Sequence, residues 1–86
     1  MRDSSLSKSL EVFMISFGER LKFLRTDRNL KQKQLAEIFK ITERAYQYYE
    51  ANKSTPHFKL LLTIAEYFDV SLDYLVGWSD EPKINK

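Results

Sequence analysis

Eighty-six residues give room for one small domain with short tails, and no length for a second fold. The absence of cysteine excludes a disulfide frame, a thiolate nucleophile and a cysteine-held metal, and agrees with a reducing compartment. A net charge of +2 selects no partner, but its distribution is uneven: ten basic residues face five acids between Phe17 and Lys59, whereas two face five from Leu60 onward. A basic first half suits a polyanion and an acidic second half suits something else, although ordinary solvated charge on both halves gives the same count.

From the N-terminus, Met1 to Ser9 is serine-rich, and Leu10 to Phe17 is interrupted by Glu11 and Ser16. No signal peptide is expected there, no apolar run approaches a membrane span, and the cytoplasm is the default location. Leu6, Leu10, Phe13 and Phe17 fall at helical spacing, so residues 1–16 form an extension that is either an added helix or an arm. Met14, equally, begins a stretch that makes a complete domain by itself. Glycine and proline occur only twice each, where elements should end, and the chain reads as all-α.

Phe17, Leu21, Leu24 and Arg28 predict a first helix over 17–28, closed by a break at Asn29-Leu30. A second helix fits 32–39, with Leu35, Ala36 and Phe39 on one face. Lys40, Ile41 and Thr42 connect it to a third helix over 43–50, for which Thr42 is the N-cap. On that helix Ala45, Tyr46 and Tyr49 share one face, and Glu43, Arg44, Gln47 and Tyr48 share the opposite one. Asn52 suits a left-handed stop, and Ser54-Thr55-Pro56 a loop. Phe58, Leu61, Ile64, Ala65 and Phe68 mark a fourth helix. Ser71 caps a last helix over 72–76, with Leu72 and Leu75 inward and Gly77 closing it.

Two short helices joined by three residues, the second with Glu, Arg, Gln and Tyr outward, have the composition that major-groove reading needs. Arg bridges guanine O6 and N7, Gln pairs with adenine, Glu accepts from cytosine N4, and Tyr offers a ring and a hydroxyl. Tyr46 and Tyr49 are expected in the core instead. No nucleophile with a base, no glycine-rich phosphate loop and no metal-ligand cluster is present, and His57 lacks ligating partners. Neither enzyme activity nor a cofactor is expected.

The run Gln32-Lys33-Gln34-Leu35-Ala36, followed by Ile41-Thr42, Tyr46, Tyr49-Glu50, Pro56, Ile64-Ala65, Phe68 and Val70 to Leu75, resembles the lambda-repressor-like helix-turn-helix family of Cro/CI type. The likeness covers about residues 17–77, with 78–86 as a short tail. It implies a compact five-helix domain that binds double-stranded DNA as a homodimer and regulates transcription, with a repressor favoured. Carried position by position, it implies base reading by Thr42, Glu43, Arg44 and Ala45, with Gln47 and Tyr48 one turn on. It implies phosphate contact by Gln32, Asn52 and Lys53, beside which Lys31 and Lys33 are candidates on charge. It also implies an ion pair between Arg25 and Glu50. Dimerisation through the last helices makes Leu72, Tyr74, Leu75, Val76 and Trp78 interface candidates, although Trp78 serves equally as a lid on the core. Lys31 replaces the usual Ser or Thr cap, and Lys40, Asn52 and Asp69 stand where glycines are usual. Lys40 is the costly one if its φ is positive. The alternative is an adapter that uses the same fold to hold a regulatory protein, as an antitoxin or antirepressor does.

Overall fold

The computed structural model describes residues 15–82, within which there are five helices and no strand. They are α1 (Phe17–Asp27), α2 (Gln32–Phe39), α3 (Glu43–Glu50), α4 (Phe58–Phe68) and α5 (Leu72–Leu75). The extension periodicity at Leu6, Leu10 and Phe13 lies outside the described residues.

Each helix starts on a residue that can satisfy its free amides, with one exception. Ser16 accepts from Glu19 N at 3.2 Å while the Glu19 carboxylate accepts from Ser16 N at 3.1 Å, a reciprocal cap for α1. Thr42 caps α3, the His57 Nδ1 caps α4 and Ser71 caps α5. Lys31 carries no acceptor, so no side chain caps the first turn of α2; Gln34 only reaches back to accept from Lys31 N at 2.7 Å.

Four non-glycine residues end elements in the left-handed region: Asn29, Lys40, Asn52 and Asp69, at φ of 57–60°. Asn and Asp visit this region at low cost, whereas Lys40 carries the steric strain of a Cβ there. That conformation lets the chain reverse between α2 and α3, with Ile41 N donating to Ala36 O at 2.9 Å. The first helix stops at Asp27, one residue short of expectation. Arg28 instead spans to α4, donating to Phe68 O at 3.0 Å and Tyr67 O at 3.3 Å, and so caps that helix's last carbonyls.

The core joins Leu21 and Leu24 of α1, Leu35, Ala36 and Phe39 of α2, and Tyr46 of α3. Leu60, Ile64, Ala65 and Phe68 of α4 and Tyr74 and Leu75 of α5 complete it. Phe58, one of the apolar residues that mark α4 in the sequence, is exposed. At about 100° per residue it projects with Leu62 rather than with Leu60 and Ile64. Gly18 does not end an element but lies in the first turn of α1. A Cβ there would overlap the Glu50 carbonyl oxygen, so only glycine lets α1 approach the end of α3 this closely.

After α5 the chain folds back. Pro82 O accepts from Ser71 N at 2.7 Å, and Asp80 meets Arg20 at 3.4 Å. Arg20 is itself buried, with its guanidinium carbon 3.8 Å from the centre of the Tyr74 ring. Among the described residues no helix is long and apolar enough to cross a membrane.

Candidate nucleic-acid interface

Helix α3 is held from behind and free in front. Tyr46 is fully buried and Tyr49 half-buried, while Thr42, Glu43, Arg44, Gln47 and Tyr48 are exposed. Ala45 is half-buried between the two faces, which follows from the 3.6-residue repeat.

The anchor of α3 is a hydrogen-bonded hub at Glu50. Its carboxylate accepts from Arg25 Nε at 2.6 Å and Nη2 at 3.1 Å, from the Tyr46 hydroxyl at 2.6 Å and from Gln32 Nε2 at 3.1 Å. Arg25 also donates to Leu30 O at 3.0 Å, so one guanidinium ties α1, the α1–α2 loop and α3 together. Burial alone would push the Glu50 carboxyl up. The donated bonds from Arg25, Tyr46 and Gln32 reverse this and hold it below the ordinary carboxylate value. The same carboxylate raises the Arg25 pKa, while burial first and Glu50 second raise that of the Tyr46 phenol. All three groups therefore keep their neutral-pH ionisation, and the hub is electrically closed.

Beside this hub lies an open concavity of about 580 Å³ lined by Lys22, Arg25, Lys31, Gln32, Lys33, Glu43 and Glu50. Glu50 is neutralised by Arg25, so three lysines face the single free carboxylate of Glu43. The concavity also meets the start of α2, where no side chain caps the first-turn amides. Lysines, uncapped amides and the positive end of a helix dipole together suit an anion. One Gln32 N–H goes to Glu50, and its second remains available.

The outer face carries a second cluster. Arg44 donates from Nε at 3.3 Å and Nη2 at 3.1 Å to the Tyr48 hydroxyl. The Lys53 ammonium stands 5.6 Å from the centre of the Tyr48 ring.

Two sets of candidate residues are placed differently from expectation. Leu75 is fully enclosed and Tyr74 nearly so, because both belong to the monomer's own core; they offer little surface to a second copy. Leu72 and Val76 are half-buried, and Trp78 at 74% exposed is no lid. Asn52 is exposed but turns its side chain to the start of α1: its Oδ1 accepts from Gly18 N at 2.9 Å and its Nδ2 donates to Ser16 Oγ at 3.0 Å, which leaves one side-chain N–H. The charge count also contracts, since Arg20, Arg25 and Arg28 are engaged within the fold. The pairs Arg44–Tyr48 and Tyr46–Glu50 stand four apart, a signal visible in sequence; nothing local marks Arg20, whose partner Asp80 is 60 residues away.

Two helices at a three-residue reversal, the first bracing the second through a shared carboxylate, constitute a helix-turn-helix. The chain belongs to the helix-turn-helix domain family, whose pattern matches residues 18–77 and agrees with the lambda-repressor-like resemblance; it is not an enzyme family. It is 39% identical over 66 residues to the uncharacterized HTH-type transcriptional regulator YobD of Bacillus subtilis (strain 168), covering 77% of this chain and 59% of that one. It is 38% identical over 68 residues to the uncharacterized regulator YqaE of the same organism, covering 79% and 59%. It is also 37% identical over 63 residues to the HTH-type transcriptional activator BcrR of Enterococcus faecalis, covering 73% and 31%. The chain thus spans less than two thirds of the length of these relatives. No solved structure matches it significantly.

Proposed function

We propose that the protein is a cytoplasmic, sequence-specific regulator of transcription that binds double-stranded DNA with α3 in the major groove. The observation that carries this is the exposed row Arg44, Gln47 and Tyr48 on a helix braced from behind, beside the lysine-lined concavity at the start of α2. In this docking Lys31, Lys33, Gln32 and Lys53 take backbone phosphates and set position, while Thr42, Glu43, Arg44, Ala45, Gln47 and Tyr48 face base edges. Asn52 contributes at most its remaining side-chain N–H.

The operator is an inverted repeat bound by a homodimer, with two copies of α3 about one DNA turn apart. Exposed Trp78 and half-buried Leu72 and Val76 supply apolar surface for that contact. Repression by occlusion of polymerase is the most direct consequence of occupying an operator; the named activator among the relatives makes the sign of regulation the first thing to measure.

Selection of bound sites from a random duplex pool tests the proposal. Arg44→Ala should cost about 1–3 kcal/mol on the selected site and relax base choice at one position. Lys53→Ala should weaken all sequences alike and flatten the salt dependence by about one unit of slope. If both variants bind every duplex as the wild type does, α3 does not read DNA. A wild type that selects no sequence points to the adapter alternative.

A further inference from the structure

We infer that Tyr48 is a positioning residue that aims the Arg44 guanidinium at guanine, making guanine the base read by the first turn of α3. This rests on the groove docking proposed above. Tyr48 follows Arg44 by four residues and projects from the same exposed face.

Arg44 points two donors, Nε and Nη2, at a single acceptor, the Tyr48 hydroxyl, at 3.3 and 3.1 Å. These N–H groups form one edge of the planar guanidinium. The edge left free carries two parallel donors, one on Nη1 and the second on Nη2. Guanine presents N7 and O6 as two adjacent acceptors in the major groove, matching that free edge. Adenine replaces the O6 acceptor with an N6 donor, which would face another donor.

The ring contributes as well as the hydroxyl. The Arg44 guanidinium carbon stands 5.5 Å from its centre and the Lys53 ammonium 5.6 Å. A cation held on a ring and bonded to its hydroxyl explores fewer rotamers before DNA arrives, so less ordering is left for the bound state. The hydroxyl accepts both Arg44 bonds and keeps its own proton to donate outward.

The experiment measures binding of wild type, Tyr48→Phe, Arg44→Ala and the double variant to the selected site. Each is compared with the same site carrying adenine or 7-deazaguanine at the position Arg44 controls. Wild type should favour guanine over either by roughly tenfold or more. Tyr48→Phe should shrink that ratio by about three- to tenfold, with thermal unfolding unchanged. In the Arg44→Ala background the same change should do nothing further. The inference is overturned if Tyr48→Phe leaves the ratio intact, or if it weakens binding equally with and without Arg44, since Tyr48 would then act independently of the guanidinium. It is also overturned if 7-deazaguanine is tolerated. In each of these cases a wild type that still selects a site leaves the docking standing, whereas loss of all selectivity removes both.

Discussion

Replacing Glu50 by leucine removes the acceptor of four hydrogen bonds while keeping most of the volume. Its side chain is 6% exposed, and that of its partner Arg25 is 13% exposed, so little water can substitute for the lost carboxylate. Stranding one member of a buried ion pair costs about 3–5 kcal/mol, and the Tyr46 hydroxyl and the Gln32 amide lose partners as well. A chain of this length has roughly 4–13 kcal/mol of stability in total. At about 4–8 °C per kcal/mol for a small domain, the expected Tm falls by at least roughly 12 °C, read by far-UV circular dichroism. Arg25→Met combined with Glu50→Leu should be milder than the two single losses added together, because no charge is then left unpaired. The pH dependence follows the same pair. Glu50 is held below its ordinary value of 4.5, so its contribution is complete above that pH and is lost as pH falls through the lower, folded value. The stability gap between wild type and Glu50→Gln should therefore be constant at neutral pH and narrow below about 4.5. A cost under about 1 kcal/mol for Glu50→Leu, or strict additivity with Arg25→Met, would refute the hub as the clamp between α1 and α3.

Gly18→Ala should destabilise by about 1–3 kcal/mol in urea unfolding, although alanine favours helix, because the new Cβ meets backbone of α3 that cannot swing aside. A gain in stability would mean that α1 and α3 separate freely. Lys40→Gly should do the opposite and raise stability by about 0.5–1 kcal/mol, since relief at φ 60° exceeds the added freedom of the unfolded chain. Unchanged or lower stability would show that Lys40 makes contacts that outweigh its strain.

Much of the fold was legible because helical periodicity is local. Leu35, Ala36 and Phe39 and the Ile64-Ala65-Phe68 set identify buried stripes without knowledge of any partner, and the starts at Thr42 and Ser71 are set by the residue itself. The outward row Arg44, Gln47 and Tyr48 follows from the same repeat once Tyr46 is inside. Phe58 marked the helix but not its buried side, because an apolar residue at a helix start fits either face, and it is Leu60 that lies in the core.

The tertiary structure decided what depends on distance along the chain. Which arginines remain free for an anion is not a property of composition: Arg20, Arg25 and Arg28 are drawn to Asp80, Glu50 and the carbonyls ending α4 by contacts 25 to 60 residues apart. That Leu75 and Tyr74 of the last helix are kept within the monomer's own core is likewise a matter of how α5 packs on the rest of the fold. Amphipathic spacing fixes which side of a helix is apolar. How that side is shared between the monomer's own core and an outside surface is a matter of three-dimensional closure.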